Sequence, residues 1–165
     1  MSSSAPTTVP PTAVAGKYLT VGLGEESYAV SVLKVREIIR IQKIIPVPQM
    51  PPSIKGVINL RGRVIPILDL RTHFGLPAET TAHTCIIVVQ LLGPAGNALL
   101  MGLIVDAVQD VALITAAEIE PAPEFGASVR ADYLLGLAKN KGQVRLLLNL
   151  DRVIDPAAVD TLAAS

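Results

Sequence analysis

The most conspicuous shortage in this sequence is of aromatic side chains. Tryptophan is absent, and three tyrosines and two phenylalanines make up only 3% of the 165 residues. Grooves that bind polyproline segments or stack nucleic-acid bases are built from aromatic rings. We therefore expect neither kind of groove in this protein.

Net charge is lacking as well, since 14 basic and 14 acidic residues give a formal charge of +0 at pH 7. A nucleic-acid-binding protein needs a basic surface that displaces counterions from phosphates. Charged residues make up only 17% of the chain, whereas apolar residues make up 50%. This composition favours a packed globule and argues against nucleic acid as a partner.

Residue types that carry catalysis or bind metals are few. Cys85 is the single cysteine, so no intrachain disulfide forms and the fold is compatible with the cytosol. The two histidines, His73 and His83, lie far from any cluster of cysteines or carboxylates, and we expect no metal and no cofactor. Cys85 begins an apolar run, where a thiol usually fills core space. We predict that the chain is not an enzyme; an enzyme with Cys85 as nucleophile is the alternative.

A long stretch without charge raises the question of a membrane span. Residues 80–105 contain no Asp, Glu, Lys or Arg and are long enough to cross a bilayer. Turn-forming residues at 93–97 divide the stretch, so we predict two buried strands and no membrane insertion. Residues 1–16 are rich in Ser, Thr, Pro and Ala without a basic start, which predicts a disordered tail and not a secretion signal.

Short apolar runs separated by turn residues follow from residue 17 onwards, and they predict an all-β protein with barrel or sandwich closure. Residues 33–38 instead allow one or two helical turns. Pro66 has no backbone donor, so we expect it at a sheet edge or a bulge. A Thr and a Glu with the spacing of a capping box predict a short helix start at 115–118. The strands are predicted at 18–23, 27–32, 54–60, 64–70, 85–92, 98–105, 133–138 and 143–150.

An internal repeat relates the two halves of the chain. Residues 56–70 match residues 136–150 at an offset of 80, and residues 30–38 match residues 103–111 at an offset of 73. The match predicts a duplicated unit of about five strands, with subdomains at about 17–78 and 79–150. Residues 156–165, after the second copy, are predicted to form a helical turn or a tail. A unit this small has a marginal core, so the two copies should bury apolar faces against each other.

Polar residues interrupt the predicted strands around the first copy of the repeated hairpin. A polar group on a half-buried strand must find a partner inside the protein or face one outside. Glu37 and Arg61 therefore form either a structural salt bridge or a polar pair that binds a partner. The interrupting residues are Glu37, Asn59, Arg61, Arg63, Asp69 and Arg71.

The segment 54–71, with the sequence IKGVINLRGRVIPILDLR, resembles the signature of the CheW family of chemotaxis coupling proteins. Segments 28–38, 102–108 and 121–125 support the resemblance, which covers roughly residues 17–155. It implies two intertwined five-stranded barrels of SH3-like topology with short helices. This architecture agrees with the duplication inferred from the repeat.

The resemblance also implies a function as a non-catalytic adaptor that couples methyl-accepting chemoreceptors to the histidine kinase CheA. One surface would bind the cytoplasmic tip of a receptor, and the barrel ends would bind the regulatory domain of CheA. The protein would be cytoplasmic, recruited to membrane-associated receptor arrays, and monomeric when free. An adaptor of a non-flagellar pathway, such as pilus-based motility, is the alternative. The implied binding residues are Val35, Glu37, Ile38, Gly56, Val57, Asn59, Arg61, Gly62, Ile65 and Val108.

Overall fold

The structure is a computed structural model that describes residues 15–92, 96–120, 133–140 and 142–154. Most of the predicted tail at 1–16, the predicted helical turn at 156–165 and the family-like segment 121–125 lie outside these ranges. The predicted all-β class is confirmed. The strands are β1 Gly16–Leu23, β2 Glu26–Ser31, β3 Val35–Arg40, β4 Ile54–Leu60, β5 Arg63–Asp69, β6 Cys85–Leu92, β7 Ala98–Val105, β8 Ala107–Ile114, β9 Ile119–Glu120, β10 Leu134–Asn140 and β11 Gln143–Leu148.

Helical segments are short. Helix α1 spans Leu70–His73, α2 spans Leu150–Val153, and a 3₁₀ turn spans Ala116–Glu118. The 3₁₀ turn has the predicted capping box, in which the Thr115 N–H donates to Glu118 Oε1 at 2.8 Å. Within the described ranges, no helix is long and apolar enough to cross a membrane.

The strands form two sheets that exchange hairpins between the two halves of the chain. The first sheet has the order β8-β1-β2-β11-β10-β9, and the second has the order β3-β6-β7-β5-β4. Each sheet thus takes one hairpin, β1–β2 or β6–β7, from one half and its remaining strands from the other half. Each sheet therefore contains strands from both sides of the predicted boundary near residue 78. The boundary separates the two copies of the repeat along the chain, but it does not separate the two sheets.

The duplication is visible in the register of the strands. The β4–β5 pair aligns Ile54 with Leu68, and the β10–β11 pair aligns Leu134 with Leu148. Each pair has a register shift directly after this position. Each hairpin also joins the exchanged hairpin through parallel pairing, between β5 and β7 in one sheet and between β11 and β2 in the other. The offset of 80 therefore describes equivalent backbone positions.

The prediction of helical turns at residues 33–38 is wrong from residue 35 onwards. Residues 32–34 form a turn, and β3 then pairs antiparallel with β6. Burial in β3 alternates with a period of two, and the exposed side chains are those of Arg36, Ile38 and Arg40. Two β-branched isoleucines and pairing with β6 outweigh the weak helical spacing of the apolar residues.

Pro66 lies on an interior strand and not on a sheet edge, but at a position where its missing N–H is not needed. It faces Val57 of β4, whose own N–H and C=O bond to Ile45 on the other side. Parallel pairing of β5 with β7 begins only at Ile67. The proline therefore removes no bond from either ladder, which is how an interior strand accommodates it.

Among the described residues, three apolar clusters form the core. The largest lies between the sheets and combines Leu19 and Val21 of β1 with Ile87 of β6 and Leu103 of β7. A second cluster, including Tyr18 and Leu147, belongs to the first sheet, and a third, including Ile58 and Ile65, belongs to the second. The expected burial of one copy against the other is confirmed by the largest cluster.

Candidate partner-binding surface

Glu37 and Arg61 connect the two edge strands of the second sheet. Glu37 lies on β3 next to a register shift, and Arg61 lies in the turn between β4 and β5. The Arg61 Nη2 donates to Glu37 Oε1. The Arg61 side chain is 70% exposed and the Glu37 side chain 32% exposed. The pair therefore links a strand to a hairpin, since residue 37 lies on β3 and not on the helical turn predicted at 33–38, while its charges stay accessible from outside.

The β4–β5 turn holds Arg61 in a defined orientation. Arg61 and Gly62 both have positive φ, 52° and 85°, which is the backbone of a two-residue type I′ hairpin turn. The Asn59 carboxamide oxygen accepts a hydrogen bond from the Gly62 N–H at 2.9 Å. Asn59 and Gly62 thus form the turn that presents Arg61, which explains why these residue types occur there.

Gly56 and Val57 are held by a short bridge from the preceding loop. The N–H and C=O of Val57 bond to Ile45 at 2.9 and 2.8 Å. A Cβ on Gly56 would lie 2.0 Å from the Ile45 carbonyl oxygen. Gly56 is therefore required for this close approach, and its role in the structure is to shape the hairpin.

The remaining predicted residues divide between core and surface. Ile65 is only 1% exposed and belongs to the core of the second sheet, so it is not available to a partner in this conformation. Val35 and Val108 are half-buried against the cluster between the sheets. Ile38 is 46% exposed. Ile38, Asn59, Arg61 and Gly62 are thus the exposed members of the predicted set.

Sequence reasoning overlooked two arginines on this surface. Arg36 and Arg40 flank Ile38 on the exposed face of β3, and Arg36 Nη2 donates to Gln90 Oε1 of β6. They place positive charge on both sides of an exposed isoleucine, whereas Arg61 pairs with Glu37, which points to the opposite side of β3. In VREIIR charged and apolar residues do not alternate, so only a strand assignment for 35–40, with its period of two, could have placed Arg36, Ile38 and Arg40 on one face.

A buried arginine fastens the first hairpin to the second half of the chain. Arg71 Nε and Nη2 contact the two Asp69 carboxylate oxygens at 3.0 and 3.1 Å, and Nη1 contacts Asp106 Oδ1 at 3.1 Å. Asp106 also accepts from the Gly24 N–H at 2.8 Å, and the Glu79 carbonyl accepts from Arg71. Hydrogen bonds donated to the Asp69 carboxylate raise the pKa of Arg71 further, and the Arg71 side chain is 3% exposed. We assign this cluster a structural role, because its contacts join residues from both halves of the chain.

The residues considered for catalysis do not form a reactive site in this structure. Cys85 is half-buried between Arg40 and Val105, and burial raises the pKa of its thiol, while a hydrogen bond with the Val108 backbone opposes the rise. Burial lowers the pKa of His73, whose ring stacks on Tyr133. A raised thiol pKa disfavours the nucleophilic thiolate. In the described ranges, no group of three His, Cys, Asp or Glu residues could hold a metal ion.

Comparison with known proteins agrees with this architecture. The profile of the CheW-like domain family matches residues 17–158. A chemotaxis protein CheW from Klebsiella aerogenes is 34% identical over 155 residues, which are 92% of this chain and 91% of that protein. Another from Bacillus subtilis is 40% identical over 135 residues, which are 81% of this chain and 80% of that protein.

A solved structure shows the same fold. The crystal structure of the scaffolding protein TtCheW from Thermoanaerobacter tengcongensis matches with a TM-score of 0.76 and 31% identity, covering 86% of this chain and 94% of that chain. The prediction of two SH3-like β-barrel subdomains with short helices is thereby confirmed. On the family profile, the identities and the shared fold, this chain belongs to the CheW-like domain family.

Proposed function

We propose that this chain is a non-catalytic adaptor that couples methyl-accepting chemoreceptors to the histidine kinase CheA in chemotaxis signalling. Membership of the CheW-like domain family supports an adaptor in chemotaxis. The observation that carries the proposal is the exposed Glu37–Arg61 pair, whose charges lie on a rigid hairpin and an edge strand. A fixed polar pair beside an exposed apolar side chain suits recognition of another protein.

The receptor-binding surface in this proposal is the exposed face of β3 together with the β4–β5 turn. Ile38 supplies the apolar contact, Arg36, Arg40 and Arg61 supply positive charge, and Asn59 and Gly62 fix the turn. Val35 and Val108 lie at the seam between the sheets and limit how deeply a receptor helix can approach. Gly56, Val57 and Ile65 act indirectly by holding the hairpin.

The adaptor works by holding receptor and kinase together, so that a change in one alters the geometry of the other. Kinase binding in this proposal uses the barrel ends and the regulatory domain of CheA. The protein acts in the cytoplasm, where receptor tips recruit it to membrane-associated arrays. No covalent step belongs to this mechanism.

Co-sedimentation of the full chain with receptor signalling fragments and with CheA tests the proposal. We expect the wild-type chain to bind both. Charge reversal in Glu37→Arg or Arg61→Glu should weaken receptor binding by about 10-fold, because an interfacial charge is placed against like charge.

Lys139→Met is the matched control. It breaks the exposed Lys139–Glu120 pair at 3.1 Å, which lies in the first sheet and not in the second sheet that carries the proposed surface, and should leave receptor binding unchanged. Wild-type chain that sediments with neither partner contradicts the adaptor function. Equal loss of binding in Lys139→Met would show that the proposed surface is the wrong one.

A further inference from the structure

A groove lies at one end of the first sheet, where β1 begins and α2 follows β11. Its volume is about 590 Å³. Tyr18 of β1 faces Ser31 at the end of β2, so the strand register brings the surrounding chain segments together there. A groove of this size can hold apolar side chains of another chain segment. Its apolar lining includes Tyr18, Val32, Leu33, Leu135, Leu148 and Leu150.

Leu33, on the rim of this groove, is the most exposed large apolar residue in the described ranges, with 90% of its surface accessible. Hydrogen bonds hold the turn that carries it. The Lys34 N–H donates to the Ser31 carbonyl oxygen at 3.0 Å, and the Val35 N–H donates to the Val32 carbonyl oxygen at 3.2 Å. Leu33 thus extends the apolar lining outwards, and a continuous apolar surface of this kind is usually covered by another segment.

The rim of the groove has an excess of positive charge. Lys17, Lys34 and Asp151 border it. Lys34 Nζ lies 3.6 Å from Asp151 Oδ2, whereas Lys17 makes no ion pair with any of the described residues. Two lysines against one aspartate leave one uncompensated cation at the rim, which favours an occupant with carboxylate side chains.

The chain leaves the described fold close to this groove. Asp151 borders the groove and α2 ends at Val153, so residue 155 follows the rim by four positions, about 6 Å along a helix. Residues 155–165 span about 16 Å as a helix and up to about 36 Å when extended. In either form the segment is long enough to reach across the groove.

The sequence of residues 155–165 suits an apolar groove with a positive rim. Asp155 and Pro156 are the residue types of a helix N-cap and of the first helical position. In the helix that they predict, Val159 and Leu162 are three positions apart and lie on one face. Asp155 and Asp160 give the segment negative charge, and it contains no Lys or Arg.

We propose that residues 155–165 dock in this groove, with Val159 and Leu162 against its apolar lining and Asp160 facing Lys17. Residues 1–14 also lead to the groove, but they contain no charged side chain that would match the rim. The inference is independent of the adaptor function. It assigns the groove an occupant from the same chain, and because the turn with Leu33 leads into β3, a partner that uses the groove has to displace this segment.

A spin label at residue 164 of the full chain tests the docking. Ala164→Cys provides the attachment point and Cys85→Ala removes the native thiol. We expect the NMR amide signals of Lys17 and Leu33, which border the groove, to lose most of their intensity. The signal of Leu23, about 20 Å further along β1, should be retained. The spectrum recorded with the reduced, diamagnetic label shows that the variant is folded.

The same label in a chain that also carries Val159→Asp and Leu162→Asp is the matched control, and the selective loss should disappear there. An equal loss at Lys17 and Leu23, a loss near Leu23 alone, or an unchanged pattern in the control overturns the proposal. Spin-labelled chain mixed with isotope-enriched chain that has no label detects a second copy as the occupant, and a loss transferred to the enriched chain overturns docking within one chain. None of these results depends on receptor or CheA binding, so the adaptor function is tested separately.

Discussion

Gly56 and Gly136 stand at the same position of the two repeated hairpins, and each is passed closely by a backbone carbonyl. A Cβ on Gly56 would lie 2.0 Å from the Ile45 oxygen, and a Cβ on Gly136 would lie 2.6 Å from the Glu120 oxygen. Both glycines follow the register shift that bends the first strand of their hairpin. Both copies of the repeat therefore have a backbone carbonyl packed closely against the glycine at this position.

Alanine at either glycine should therefore destabilise the fold. We expect Gly56→Ala to cost about 3 kcal/mol or more, because a backbone carbonyl must move and Gly56 has a φ of 141°. Gly136→Ala should cost less, since its closest approach is longer. Urea unfolding measures both. Gly16→Ala is the control, because no atom lies within 4 Å of a Cβ there; an equal loss in that variant would contradict the explanation.

Removal of the Arg71 guanidinium should be far more damaging than breaking the surface ion pair that its counterpart in the repeat makes. Arg71→Met leaves the 2% exposed Asp69 without its partner, which typically costs about 3–5 kcal/mol. The equivalent of Arg71 is Asp151, paired with Lys34 on the surface. Lys34→Met should cost less than about 1 kcal/mol. Chemical unfolding of the two variants, run side by side, checks the difference, and similar losses would refute it.

His73 should make stability depend on pH. Its pKa in the folded protein is below the usual 6.5 because burial disfavours the imidazolium, so the unfolded chain binds more protons in this range. The free energy of unfolding is therefore not reduced by His73 above about pH 7.5, and it falls as the pH drops through 6.5. The His73→Asn variant should show a smaller change of the unfolding free energy with pH between about pH 5.5 and 7.5. His83→Asn, at an exposed position, is the matched control, and loss of the slope in that variant as well would contradict its assignment to His73.

The Cys85 thiol should react slowly with a disulfide reagent at neutral pH. Its side chain is half-buried and its pKa is raised by burial, so little thiolate is present. We expect the rate in the native protein to be at least about 10-fold below the rate in urea. The unfolded chain is the internal control. Fast native labelling would revive Cys85 as a candidate nucleophile.

Much of the secondary structure could be predicted from local patterns. Apolar runs bounded by turn residues identified most strands, and the Thr and Glu at 115 and 118 identified the capping box. β3 was missed because six residues with ambiguous spacing satisfy a helix or a strand, and only pairing with β6 decides between them. Asp106 was missed because it meets Arg71 across 35 positions of sequence.

The sequence by itself determined the class of the fold, the duplication and the family. Strand periodicity and turn residues can be recognised in short segments, and the repeat can be recognised by comparing two segments of the same chain. Only the tertiary structure decided that the halves exchange hairpins, that Ile65 is buried, and that Arg71 meets Asp106. The physical reason is that burial and charge pairing depend on which strands become neighbours. Strand order is set by the packing of the whole chain and not by any segment of it.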